Sequence, residues 1–284
     1  MSKTALNWGE RTYIMGILNV TPDSFSGDGL ARHGDVVGAA LQQARAFVAA
    51  GADILDIGGE STRPGSSPVT AAKEIARVIP VIEAIRAELD VWISIDTYRA
   101  VVAKAAIHAG ADMINDIWGF RLDRQIAKVA AESGAYVVLM HNRSEPKEFA
   151  GDGILGGRYV GADYDDLIAD IKHELMLSVK IALAAGVQKE KIILDPGIGF
   201  GKTVEQNRRL VNELDQFKKL GFPILLGASR KSFIGYTLEL PPDERLAGTA
   251  AAVTLGIARG ADIVRVHDVK EMTRVARMTD SMVR

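Results

Sequence analysis

The chain has 284 residues and no cysteine. That one absence removes disulfides, thiolate nucleophiles and cysteine-type zinc sites together. No apolar run approaches the roughly 18 residues of a membrane helix, and Met1 to Trp8 is polar where a signal peptide carries its apolar core. These absences argue against a membrane partner and lead us to expect a cytoplasmic protein. Charge of one sign is missing too. Acidic and basic residues are interspersed and the net charge is −2, which leaves no basic footprint for nucleic acid. Nucleotide loops fail by one residue. Gly201-Lys202-Thr203 ends as a phosphate loop ends, but the leading glycine of G-x-x-x-x-G-K-[ST] falls at Pro196, which has no N–H. Lys202 likewise stands where the last glycine of G-x-G-x-x-G belongs. His33, His108 and His173 show no metal spacing, and His173-Glu174 lacks the second histidine of H-E-x-x-H.

What is present is a large apolar share, 48% of residues against 25% charged, enough for one extensive core. One phrase recurs along the chain: a helical segment, a glycine, then a short β-branched run ending in a polar residue. Gly51-Ala52-Asp53, Gly110-Ala111-Asp112 and Gly260-Ala261-Asp262 are close copies, and Gly134, Gly186 and Gly221 hold the same place. Glycine just past a helix caps it in the left-handed conformation, so each marks a helix-to-strand turn. The strands read Tyr13–Leu18, Ile54–Ile57, Val91–Ile95, Met113–Ile117, Tyr136–Met140, Ile192–Leu194, Ile224–Leu226 and Ile263–Val266. Helical patterns lie between them, as in Asp35–Ala50, Thr70–Leu89, Thr97–Ala109, Tyr164–Ala185 and Glu205–Leu220. Eight alternations in this length predict an α/β fold, a (β/α)8 TIM barrel forming a single domain over residues 1–284, with a doubly wound sheet as the alternative.

A barrel demands that chemistry gather at the carboxyl ends of its strands. Those ends carry Asn19; Asp56 with Gly59-Glu60-Ser61-Thr62-Arg63; Asp96; Asn115-Asp116; His141; Asp195; Ser229-Arg230-Lys231; and Arg265, His267 and Asp268. The amino ends offer mainly glycine, alanine and an aspartate. Asp53, Asp112 and Asp262 read as turn residues, and Asp96 could equally cap the helix after Thr97. The stretch Ile192 to Thr203 is the most distinctive: a short buried strand delivering Asp195 into a glycine-rich loop where backbone can approach a ligand.

Several of these stretches together resemble one family. Asn19-Val20-Thr21-Pro22-Asp23-Ser24-Phe25-Ser26, Gly58-Gly59-Glu60-Ser61-Thr62-Arg63-Pro64-Gly65, Ser94-Ile95-Asp96-Thr97, Ile114-Asn115-Asp116, Asp195-Pro196-Gly197, Ser229-Arg230-Lys231-Ser232 and Arg265-Val266-His267-Asp268 occur in the order found in dihydropteroate synthases. The resemblance implies a transferase of folate biosynthesis, a homodimer acting on small molecules. It would join 6-hydroxymethyl-7,8-dihydropterin pyrophosphate to p-aminobenzoate, with Mg2+ as cofactor and Asn19 as its ligand. By position it implies Asp96, Asn115, Asp195 and Lys231 as pterin contacts, with Ile117 and Met140 lining the same site. Thr62, Arg63, Phe200 and Ser229 fall on the p-aminobenzoate side, where Lys231 also belongs, and Arg265 and His267, with Thr62 and Arg63 again, are candidates for the pyrophosphate. Asp96, Asp195 and Lys231 are the expected catalytic set. Two departures stand out: Ser26-Gly27-Asp28-Gly29 in the first loop, and a long glycine-rich segment, Phe149–Asp163, after the fifth strand.

The chemistry agrees with that implication. A pterin edge of N–H donors and a carbonyl calls for buried carboxylates and amides plus one cation. In Met113-Ile114-Asn115-Asp116-Ile117 one of the adjacent polar residues must face the interior whatever the register. A departing pyrophosphate calls for cations and a metal, and Arg265 and His267 alternate onto one face. A pterin-binding methyltransferase would share the barrel and pocket but needs no pyrophosphate site, and a non-catalytic pterin-binding protein would show no turnover. A sulfonamide-tolerant enzyme would run the same reaction, and the sequence does not separate it from a sensitive one. Thr21–Gly34 and Gly59–Pro68 are expected to be mobile loops that pyrophosphate and magnesium order.

Overall fold

The computed structural model describes residues 5–21, 35–61, 69–144, 149–152 and 155–284. Thr62, Arg63 and most of the two glycine-rich loops lie outside the described residues. Eight parallel strands make one sheet: β1 (Tyr13–Asn19), β2 (Ile54–Gly58), β3 (Trp92–Asp96), β4 (Met113–Asp116), β5 (Tyr136–Met140), β8 (Ile192–Asp195), β9 (Leu225–Leu226) and β10 (Ile263–Val266). Their order is β8-β5-β4-β3-β2-β1-β10-β9, and a parallel bridge from Leu194 to Ile224 brings the last strand back to the first. The sheet thus closes on itself as a barrel, and the doubly wound alternative is not what forms.

Helices α1 (Val36–Ala49), α2 (Ala71–Glu88), α3 (Ala100–His108), α4 (Gln125–Ser133), α5 (Leu167–Ala185), α6 (Val204–Asn212), α7 (Asp215–Lys218), α8 (Ser232–Leu238), α9 (Leu246–Ala258) and α10 (Val269–Val283) surround it. Local chemistry sets several ends. Asp166 accepts from the amides of Ile168 and Ala169 at 3.0 and 3.2 Å to start α5, and Thr203 with Gln206 forms a capping box on α6. Gly51, Gly110 and Gly260 have φ of +103°, +111° and +96°, where a β-carbon would be strained. The expected helix Glu205–Leu220 is broken at Glu213 into α6 and α7. Leu210, Leu214 and Phe217 are all buried on both sides of the break, so apolar spacing alone does not reveal it. The Phe149–Asp163 segment holds an antiparallel hairpin, β6 (Phe149–Asp152) with β7 (Gly156–Tyr159).

Two cores result. Outward-facing strand residues pack under the helices in one large cluster. Inside the barrel a smaller one gathers Tyr13, Met15, Ile54, Met113, Val138, Ile193, Leu225 and Ile263, closed at the amino end by Leu6 with Trp8, Trp92 and Tyr136 packed around it. Trp8 meets Tyr13 and Tyr136 edge to face at 5.6 and 6.3 Å. Two residues farther along five of the eight strands the same inward face becomes polar: Asp56, Ser94, Asn115, Asp195 and Arg265. The strand period therefore divides the interior into an apolar floor and a charged upper layer.

Candidate active site

Strand register fixes who meets whom in the upper layer. Asn19 stands opposite Gly58, Gly58 opposite Asp96, Asp96 opposite Asn115, and Met140 opposite Asp195. A β-carbon at Gly58 would come within 3.6 Å of the Asn19 amide oxygen and of Asp96, so the glycine leaves open space between those side chains. Gly227 does the same for Asp195 Oδ2 and Lys231 Nζ, at 3.7 and 3.9 Å from its absent β-carbon. Of the adjacent polar pair on β4, Asn115 faces inward and donates to Asp56 Oδ2 at 3.1 Å. Asp116 faces out and accepts from the amides of Trp118 and Phe120, both at 2.8 Å, shaping the turn that follows. The strand ends at Asp116, which leaves Ile117 half-buried in that turn.

Arg265 lies at the centre of this layer. Its Nε donates to Asp56 Oδ2 at 2.5 Å and its Nη2 to Asp96 Oδ2 at 2.6 Å. Its proton is therefore held above the ordinary range, the two carboxylates overcoming the opposing effect of burial. Asp96 is pushed up by burial, against the pull of Arg265 and with the neighbouring Asp56 adding to the rise. Asp195 is likewise raised by burial, opposed by Lys231 and by the Gly197 amide, which donates to its Oδ1 at 2.7 Å. Burial lowers the Lys231 ammonium to about 8, with Asp195 resisting. Such displacements mark groups held in low dielectric beside charges, as a site for a polar ligand requires.

Around this centre stand the other expected residues. Ser229 Oγ lies 3.0 Å from His267 Nδ1 and accepts from the His267 amide at 3.2 Å. Lys231 donates to the Ile198 carbonyl, and its Nζ sits 4.5 Å from the centre of the Phe200 ring. Met140 is buried at the end of β5. Arg230, by contrast, turns to Asp268 and donates to its Oδ2 at 2.9 Å, so it serves the rim.

Three features escaped sequence reasoning. Lys202, 3% exposed, donates to the carbonyls of Gly197 and Phe200, both at 2.8 Å, and lies 3.1 Å from His141 Nδ1. It clamps the loop after β8 from within. His141 is kept neutral, lowered to about 3 by burial and by Lys202, while its Nε2 lies 3.2 Å from Glu174. Burial alone would raise Glu174, but the nearby His141 ring and hydrogen bonds from Arg143 and Arg121 hold it below the usual carboxylate range. Second, Arg99 ties both stems of the loop after β2, donating to Glu60 at 2.5 Å and to the Val69 carbonyl at 2.9 Å. Third, Tyr159 of β7 stacks on Phe200, with centroids 5.7 Å apart and planes at 29°. Only the lysine beside glycine signalled the first, and it resembled a phosphate loop instead.

Comparison with known proteins agrees with this arrangement. The family model described as pterin binding enzyme matches residues 15–267. The dihydropteroate synthase of Bacillus subtilis is 52% identical over 98% of this chain and 91% of that enzyme. A dihydropteroate synthase from Clostridium difficile, crystallised in the presence of pteroic acid, superposes with a TM-score of 0.89 at 49% identity, covering 99% of this chain and 100% of that one. The Xanthomonas albilineans enzyme with 4-aminobenzoic acid gives 0.86 at 38% identity, over 96% of this chain and 93% of that one. This chain belongs to the pterin-binding enzymes and, among them, to the dihydropteroate synthases.

Proposed function

We propose that this chain joins 6-hydroxymethyl-7,8-dihydropterin pyrophosphate to p-aminobenzoate, releasing pyrophosphate and 7,8-dihydropteroate. The observation that carries the reading is the polar layer inside the barrel, where Asp96, Asn115 and Asp195 present acceptors and an amide beside the Lys231 cation. Those groups match a pterin edge, the carboxylates taking its N–H donors and Lys231 meeting its carbonyl. The C–O bond to pyrophosphate breaks with the electron pair leaving on oxygen. The arylamine nitrogen then bonds to the freed methylene carbon and gives up a proton. No nucleophilic side chain is needed. The carboxylates Asp96 and Asp195 favour positive charge on the ring, and the cations Arg265 and Lys231 with His267 face the anion, so catalysis is positioning and electrostatics. Met140 and Ile117 flank the ring. Phe200 and Ser229 stand on the arylamine side.

For Mg2+, Asn19 is the residue that would hold the ion, its amide oxygen standing beside the space left at Gly58. Among the described residues no cluster of three or more histidine or carboxylate groups could hold a metal, and a single protein ligand with phosphate oxygens and water suits magnesium. The bound ion supplies charge neutralisation to the leaving group.

The chain also acts as a homodimer in the cytoplasm in this reading. Among the described residues no helix is long and apolar enough to cross a membrane. From Leu246 to Ala258, α9 carries no charged residue, yet Leu246 and Leu255 are exposed on it, and such a helix seeks a partner. Light scattering should give twice the chain mass. The central test is a steady-state assay with both substrates, measuring pyrophosphate and dihydropteroate. Equimolar release supports the reading, and no turnover ends it.

A further inference from the structure

A two-stranded hairpin is marginal by itself in water, so where β6 and β7 lie is decided by what they dock on. At one end the nearly buried Arg245 donates to the Leu155 carbonyl at 2.7 Å, and its other N–H groups reach the carbonyls of Arg230 at 2.9 Å and Leu240 at 3.1 Å. Tyr236 on α8 donates to the Gly156 carbonyl at 3.4 Å, and the Arg158 guanidinium lies 5.1 Å from the centre of its ring. At the other end Ala162 N and Tyr164 OH both donate to the Gly201 carbonyl, at 3.0 and 3.2 Å. Gly161 passes so close to Thr203 that a β-carbon would fall 2.6 Å from its methyl group.

Both anchors sit on elements that carry site residues: α8 begins directly after Lys231, and Gly201 directly follows Phe200. Between them, Tyr159 points to the strand face opposite Arg158 and stacks on Phe200, whose ring also receives the Lys231 cation.

We propose that β7 is a wall of the arylamine subsite and that Tyr159, by fixing the plane of Phe200, sets how that subsite discriminates between p-aminobenzoate and bulkier para-substituted arylamines such as sulfonamides. Tyr159 is thus a positioning residue that acts through Phe200. The inference rests on the reaction proposed above. An aromatic pair of this geometry is worth a modest energy, and an affinity difference of that size is roughly three- to tenfold.

The test is steady-state kinetics on Tyr159→Ala and Tyr159→Phe, with KM for each substrate and the inhibition constant of a sulfonamide. Tyr159→Ala should raise KM for p-aminobenzoate roughly three- to tenfold, leave KM for the pterin pyrophosphate within about twofold, and change the ratio of sulfonamide inhibition constant to p-aminobenzoate KM. Tyr159→Phe, which keeps the ring, should restore all three values. If the alanine variant fails to fold, Tyr159→Leu fills the space without a ring plane and takes its place. Both KM values moving together, neither moving, or a phenylalanine variant as impaired as the alanine one would overturn the inference. Absence of turnover in the unmodified enzyme would instead end the reaction assignment itself.

Discussion

Asp53, just before β2, and Asp56, three residues on in its interior-facing half, do opposite things. Asp53, at the amino end, accepts from the Ile14 amide at 2.9 Å and takes a two-pronged bond from Arg11 at 2.7 and 3.0 Å. Its counterparts repeat the device: Asp112 holds the Ile93 amide at 3.0 Å and Arg86 at 2.6 Å, and Asp262 holds the Ile224 amide at 2.8 Å and Lys218 at 2.5 Å. Each clasps the start of a neighbouring strand and matches its charge with a cation. At the carboxyl end, Asp56 and Asp96 share the single cation Arg265, Asn115 donates to Asp56, and Asp195 takes one backbone amide in the field of Lys231. The same side chain serves architecture where each aspartate has its own strand amide and cation, and faces the barrel mouth where one cation is shared between two.

The comparison breaks most readily at Arg265. Removing it leaves Asp56 and Asp96 as buried like charges, so Arg265→Ala should cost about 3–5 kcal/mol of stability and weaken pterin and pyrophosphate together. Calorimetric titration of each ligand checks this, and an intact pterin affinity would show that Arg265 serves the anion alone. Asp262→Ala sharpens the contrast from the other end. Losing the clasp on Ile224 and Lys218 should cost about 2–3 kcal/mol in urea unfolding, with kcat/KM of the folded enzyme kept. An activity loss exceeding the stability loss would deny that the amino end is purely architectural.

Asp195→Asn should lower pterin affinity at least tenfold, about 1.5–3 kcal/mol, with little change in unfolding. Unaltered binding would remove Asp195 from the site. The smallest effect concerns pH. Lys231 is lowered to about 8 by burial, so it is charged below that pH and loses its proton as pH rises through it. The kcat/KM for the pterin substrate should fall above about pH 8, and Lys231→Arg, which stays charged, should lack that limb. Superimposable profiles would assign the limb elsewhere.

Much of this was legible in residues alone. All eight strands were, because parallel strands covered on both faces are continuous β-branched runs, and glycine marks the turn before six of them. The period of two required one of Asn115 and Asp116 to face inward without saying which, and strand ends pointed to Asp96, Asp195 and Arg265. What a sequence conceals is pairing over distance. Asp56 and Arg265 are 209 residues apart, and nothing local announces that Arg265 is bound to carboxylates before any anion arrives. Lys202 was hidden because a buried lysine satisfied by carbonyls looks, in sequence, like a surface one. The break at Glu213 and the docking of β7 escaped for a related reason: apolar spacing records which side is buried, not what it is buried against.

The three amino-end clasps have a bearing on how the chain could be recut. Asp53 joins β1 to β2, Asp112 joins β3 to β4, and Asp262 joins β9 to β10, so each lies within a consecutive pair of strands and none spans the step from β2 to β3. New termini opened between Glu88 and Trp92, with the old ends linked, would divide no clasped pair of strands and would part only the Arg86 cation from Asp112. A permutant opened between α3 and β4, at Ala109–Ala111, would divide the pair that Asp112 clasps, and of the two it is the one that should refold poorly.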